Sequence, residues 1–212
     1  MLRQRCFILF LALLFLLVSM PFLADTASGT WIIVLANAFV LVTAVAAVAR
    51  TRFSLVIAIL LASPALVLRF LAEGLPSPGQ FALAWGCNAA FYVFVLANLL
   101  NYVLRRDVMT GDKLYGAVSA YVLIAILWAF LHGVVQYFHP DAYAVAGTPK
   151  ALDMGELIYF SFTALTTAGF GDITPMVIQS RFLTMLEMVT GVMYIAILIA
   201  RLTGVYPVVT KT

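Results

Sequence analysis

Charge is what this sequence has least of. Only 10% of its 212 residues are Asp, Glu, Lys or Arg, while 65% are hydrophobic. A water-soluble domain of this size needs more solvating groups than that, so the soluble class is excluded. Cysteine is nearly missing as well. Cys6 and Cys87 are the only two and both lie in apolar runs, which argues against a disulfide framework and against a thiolate metal site. Histidine occurs twice, at His132 and His139. On a helix they share a face but lie roughly 10.5 Å apart along the axis, too far to hold one metal. Proton sensing is a minor alternative for them, since imidazole titrates near neutrality. Neither a Gly-x-Ser-x-Gly elbow nor a His-Glu-x-x-His pair occurs, so an intramembrane hydrolase lacks its marks. No catalytic residue is expected.

What is present is apolar length. A hydrocarbon core about 30 Å thick takes roughly 20 apolar residues as a helix. Six segments qualify: Phe7–Leu23, Trp31–Ala49, Phe53–Ala72, Phe81–Leu104, Leu114–Phe138 and Arg181–Tyr206. Each is predicted to be a helix, because lipid offers no partner for a free backbone group. Turn and breaker residues separate them, as at Gly74-Leu75-Pro76-Ser77-Pro78-Gly79, and Pro64 is expected to kink the third. The first run follows Arg3 and Arg5 and is long for a cleaved leader, so it is read as a retained helix. The expected fold class is therefore an all-α membrane protein.

The net charge of +3 and the pI near 9.0 reflect membrane topology and not nucleic acid, because the basic residues sit between apolar segments. With both termini cytoplasmic, Arg3, Arg5, Arg50, Arg52, Arg105, Arg106, Lys113, Arg201 and Lys211 all lie inside. Lys150, Arg69 and Arg181 lie outside. The reverse orientation would put most cations on the wrong face, so the reading is N-in, C-in in the cell membrane. The fourth segment has no Arg or Lys before Arg105 and Arg106 at its end, so it lacks the charge series of a voltage sensor. Arg69 is isolated and can pair with Glu73 one turn later. Residues 1–106 are expected to form a peripheral four-helix bundle, and residues 107–212 a second unit.

That second unit carries the chemistry. Between the last two segments, Met154 to Thr166 is apolar and aromatic but too short to span. It reads as a re-entrant helix entering half the membrane. Asp153 and Glu156 suit its N-terminus, and its C-terminal end favours a cation. The helical pattern then stops at Thr166-Thr167-Ala168-Gly169-Phe170-Gly171-Asp172. Gly169 and Gly171 can take positive φ, which lets successive carbonyls face one axis. Irregular backbone at this depth must be buried in protein or line an aqueous path. Four copies around an axis would stack rings of oxygens able to replace an ion's water shell. Glu187, in the outer part of the last segment, is costly in lipid and needs a partner. It is read as a buried brace bonded to backbone or to pore-helix hydroxyls. The stripe Tyr159-Phe160-Phe162 packs that helix. Arg181 either pairs with an acidic neighbour such as Asp172 or anchors its helix end.

Residues from Leu114 to about Tyr206 resemble the pore module of potassium channels, in the order outer helix, pore helix, filter and inner helix. The stretch Tyr159 to Asp172 carries the signature, and Arg181, Leu186-Glu187, Gly191 and Ala200-Arg201-Leu202 look like the inner helix of small prokaryotic members. The resemblance implies a homotetramer in the lipid bilayer, with passive potassium permeation and no cofactor beyond the permeant ion. It implies K+ coordination by the carbonyls of Thr167, Ala168, Gly169 and Phe170 and by the Thr167 hydroxyl, within a filter of Thr167 to Gly171. It casts Tyr159, Thr163, Thr166, Asp172 and Glu187 as filter support and Gly191 as a gating hinge. Ala168 stands where the family usually has Val, and Phe170 where it usually has Tyr. A weakly selective cation channel on the same fold is therefore the nearest alternative. A potassium transporter is remote, since it would need four pore loops in one chain. Few residues follow Tyr206, so no cytoplasmic ligand-binding domain is expected in this chain.

Overall fold

The computed structural model describes residues 5–23, 29–48, 52–74, 78–105 and 110–203. Seven helices occur in chain order: α1 (Arg5–Leu23), α2 (Gly29–Val48), α3 (Arg52–Gly74), α4 (Pro78–Val103), α5 (Gly111–Phe138), α6 (Met154–Leu165) and α7 (Ile178–Thr203). Among the described residues, four stretches are long and apolar enough to cross a membrane: Arg5–Phe22, Leu83–Val103, Gly111–Phe138 and Ile178–Arg201. Shorter apolar stretches lie at Asn37–Ala47 in α2 and Ser54–Pro64 in α3. The molecule is a multi-pass membrane protein on these grounds. Pro64 lies inside α3, which continues through it to Gly74. The side chains of Arg69 and Glu73 lie outside the described residues.

The all-α expectation holds with one addition. Between α5 and α6, and again just before α7, the chain forms a small antiparallel sheet. Its strands are β1 (Tyr143–Val145), β2 (Thr148–Pro149) and β3 (Ile173–Pro175), in the order β2-β1-β3. The register pairs Tyr143 with Pro175 and Val145 with Ile173. Ala146 (φ 48°) and Gly147 (φ 82°) turn the hairpin. Strands of two or three residues are too short to show an alternating pattern, so nothing in the residue order marks them.

One apolar core links α1 to α5, with Leu9, Leu13, Phe91, Tyr92, Leu99 and Leu123 buried in it. A second cluster sits at the sheet end of α5 and α6, around Tyr143, Leu152, Leu157 and Phe160. The α5 N-terminus is tied to α1, because the Asp112 carboxylate accepts from the Cys6 backbone N–H at 3.0 Å and from the Tyr102 hydroxyl at 3.1 Å. Most of α7 is exposed in the single chain, including Phe182, Leu186, Val189, Val192 and Ile195.

Candidate functional site

The half-length helix α6 is fixed at its entry. Asp153 caps it by accepting from Glu156 N–H at 2.8 Å, and Glu156 accepts from Asp153 N–H at 3.0 Å. This reciprocal capping satisfies two N-terminal donors that the helix cannot. Lys150 adds an ion pair to Glu156 at 2.5 Å. Deeper in, the buried Gln136 amide of α5 grips Leu152 on both sides. It donates to the Leu152 carbonyl at 2.9 Å and accepts from its N–H at 2.7 Å. Twelve residues rise about 18 Å, roughly half a bilayer core.

At its C-terminal end the helix stops at Leu165, and Thr166 closes it with its N–H on the Phe162 carbonyl at 3.1 Å and its hydroxyl on the same oxygen at 2.7 Å. The Thr167 N–H folds back to Ala164 at 2.9 Å, and the Gly169 N–H to the Thr163 carbonyl at 3.2 Å. The Thr163 hydroxyl is buried and bonds Phe160 O at 2.8 Å. Thr167, Gly169 and Gly171 then take φ of 57°, 52° and 79°. Alternate residues of Thr167–Gly171 are therefore left-handed, with Ala168 and Phe170 between them. The two glycines do this without steric cost. Thr167 does not, because a β-branched residue at positive φ is strained. Residue type gave no reason to expect it there.

Beyond Gly171 the chain is held from outside. The Asp172 carbonyl accepts from Ala146 N–H at 2.9 Å, and its carboxylate accepts from the Tyr159 hydroxyl at 2.8 Å. That bond from Tyr159 holds the Asp172 carboxyl below the usual carboxylate range. Residues 173–175 then join the sheet as β3. The Met176 N–H (2.8 Å) and the Ser180 hydroxyl (2.9 Å) both bond the Ala142 carbonyl. Arg181 donates from Nε to the Pro175 carbonyl at 3.2 Å; Asp172 has Tyr159 instead.

Glu187 is fully buried in α7. Its Oε1 meets the Ser161 hydroxyl of α6 and its Oε2 meets His132 Nε2 of α5 at 2.8 Å. His132 Nδ1 meets the Tyr143 hydroxyl of β1 at 2.6 Å. Burial pushes the Tyr143 phenol well above its ordinary range, so it keeps its proton. The Ser161 Oγ also lies 2.6 Å from the Ala125 carbonyl of α5. One side-chain cluster thus joins α5, α6, α7 and β1. A pore-helix hydroxyl beside Glu187 is expected from the sequence and Ser161 supplies it, whereas His132 and Tyr143 were not expected as members of the cluster. His132 and Glu187 are 55 residues apart, with no local pattern to connect them.

Gly191, one turn further along α7, touches the end of α6. A Cβ placed on it would lie 1.9 Å from the Leu165 carbonyl oxygen. A side chain cannot occupy that place unless α7 moves. Close approach is thus a sufficient reason for this glycine within an unbroken helix.

The donors that the exposed Thr167–Gly171 segment offers are backbone carbonyls and the Thr167 hydroxyl. Among the described residues no group of His, Cys, Asp and Glu is arranged to hold a metal ion. Residues 119–206 match the family model described as ion channel. No curated protein and no solved structure matches the chain.

Proposed function

From the match of residues 119–206 to the family model described as ion channel, we propose that this chain is one subunit of a tetrameric, potassium-selective channel. The observation that carries the reading is the left-handed alternation at Thr167, Gly169 and Gly171, placed at the C-terminal end of a capped, half-membrane helix. In four copies the carbonyls of Thr167, Ala168, Gly169 and Phe170, with the Thr167 hydroxyl, form the oxygen rings that replace potassium's water shell. The partial negative charge at the α6 C-terminus favours a cation at the inner mouth of those rings. Permeation is passive, so no covalent chemistry is needed.

Tetramer formation accounts for surface that lipid alone explains poorly. Phe170 is 73% exposed in the single chain, an unusual state for an aromatic ring beside a polar backbone. Neighbouring subunits around a fourfold axis cover it. All seven helices then fit one scheme, with α1 to α5 and α7 as six spans, α6 re-entrant and both termini cytoplasmic. Gly191 packs α7 against α6, and a hinge there would have to open that contact.

Flux from liposomes containing the reconstituted chain tests the reading, with Gly169→Ala as control. Potassium flux that is lost in the control supports it; absent flux, or flux unchanged in the control, rejects it. A weakly selective cation channel is the second reading. Ala168 and Phe170 favour it, since Ala168 packs less volume behind the filter and Phe170 has no hydroxyl to anchor it.

A further inference from the structure

The Glu187 cluster has a proton inventory that can be counted. Tyr143, His132, Ser161 and Glu187 are each 0% exposed within one chain, so neither solvent nor a neighbouring subunit enters the count. The contacts are Tyr143 Oη with His132 Nδ1, His132 Nε2 with Glu187 Oε2, Glu187 Oε1 with Ser161 Oγ, and Ser161 Oγ with the Ala125 carbonyl. A buried polar group left without its proton or its acceptor is costly.

Four charge states are possible, and the one with both Glu187 and His132 protonated fails at Tyr143, because Nδ1–H then faces the phenol oxygen and the phenol proton has no acceptor in the cluster. If Glu187 is ionised and His132 neutral, Ser161 has one proton and two oxygens that need it. One of the contacts to Ala125 O and Glu187 Oε1 is then oxygen against oxygen with no hydrogen between. If His132 is also protonated, Nδ1–H points at the Tyr143 oxygen, and the Tyr143 proton has no acceptor. If instead Glu187 carries a proton on Oε1, every contact is served once. Glu187 donates to Ser161, Ser161 donates to Ala125 O, His132 donates from Nε2 to Glu187 Oε2, and Tyr143 donates to His132 Nδ1.

We propose that Glu187 is a buried carboxylic acid with its proton on Oε1, and that with neutral His132 it forms a positioning pair that locks the pore helix between outer and inner helices without net charge beside the ion path. The last part rests on the channel reading; the protonation state does not. A neutral lock suits its place, because an unpaired charge in the membrane is expensive and would alter the field felt by a permeating cation.

The test uses the full chain in liposomes. The infrared difference between wild type and Glu187→Gln should show the loss of a protonated-carboxyl C=O band. If only carboxylate bands are lost, the proposal is overturned. In the flux assay Glu187→Gln should stay within about two-fold of wild type, since its NH2 donates to Ser161 and its oxygen accepts from His132. Glu187→Ala should fall at least about ten-fold, because His132 and Ser161 lose their partner. Loss in Glu187→Gln equal to that in Glu187→Ala would show that charge is required and would also overturn the proposal. Should Glu187→Ala fail to fold, Glu187→Gln and the infrared band still decide. If no variant and no wild type conducts, the channel reading fails while the band still reports the proton.

Discussion

Helices α1 to α4 and the segment from α5 to α7 are held together by different physics. In α1 to α4 the polar side chains mostly bond back to their own helix: Ser19 to Leu16, Thr43 to Val40, Asn88 to Ala84 and Asn98 to Phe94. Between these helices the contacts are chiefly apolar, as with Leu9, Leu13, Val40 and Phe91. From α5 to α7 the threonines Thr163, Thr166, Thr184 and Thr190 also bond back to their own helix, but other polar side chains reach across elements. Gln136 grips Leu152, Ser161 reaches Ala125, Glu187 meets His132, and the Tyr194 hydroxyl donates to the Ala117 carbonyl at 2.5 Å. Apolar packing tolerates volume-preserving exchange, whereas hydrogen bonds specify distance and direction. The proposed ion path needs backbone oxygens in fixed places, and the cross-element directional bonds lie where that need would be.

The largest effect expected from breaking this contrast is at Gly191. Alanine is the better helix former by about 1 kcal/mol, so if flexibility were the glycine's only use, Gly191→Ala should stabilise the protein. The 1.9 Å approach to Leu165 O predicts the opposite. Overpacking costs about 1–3 kcal/mol and occasionally more, a contact with rigid backbone belongs at the upper end, and thermal melting of the purified protein should show a large fall. A rise would return Gly191 to a pure hinge.

Gln136→Ala comes next. It strands a buried N–H and a buried carbonyl at Leu152. Each group left unpaired costs about 1–3 kcal/mol, and the pore helix loses its anchor, so both melting temperature and flux should drop. Unchanged flux would mean that the capping at Asp153 positions α6 alone.

A smaller, pH-linked effect belongs to Tyr159 and Asp172. The Tyr159 bond lowers the Asp172 value, so its contribution is present above the ordinary carboxylate value of 3.8 and is lost as pH falls through the lowered one. Current decay should be insensitive to this bond between external pH 5 and 8 and should quicken only below about pH 4. Tyr159→Phe should show the fast decay at every pH without loss of fold. Decay that tracks pH 5 to 8 and vanishes in Tyr159→Phe would refute this assignment.

The smallest effect should lie in the peripheral bundle. The Thr43 hydroxyl bonds only the Val40 carbonyl of its own helix, so Thr43→Val should change stability by less than about 1 kcal/mol and leave flux alone. A large loss of flux would mean that α2 takes part in shaping the pore.

Residue order made much of the pore segment legible. Apolar length marked α5 and α7, the short run before Thr166 marked α6, and Gly169 with Gly171 marked where the helix had to end. Glu187 stood out because a carboxyl at that depth needs a partner. Its hydroxyl partner on α6 was expected, but its second partner was hidden, since His132 lies on another helix and a lone histidine in an apolar run is usually just packed. The sheet was invisible because its strands are two or three residues long. The left-handed φ of Thr167 was missed because residue type argues against it. Arg181 shows a further limit, as its partner is a backbone carbonyl, which sequence does not display.

The most direct measurement of the central claim is the reversal potential of the reconstituted chain with potassium on one side and sodium on the other. The account predicts a potential close to that of a potassium electrode, and loss of that preference in Gly169→Ala. A reversal potential near zero in the wild-type chain would contradict potassium selectivity and leave a weakly selective cation pore.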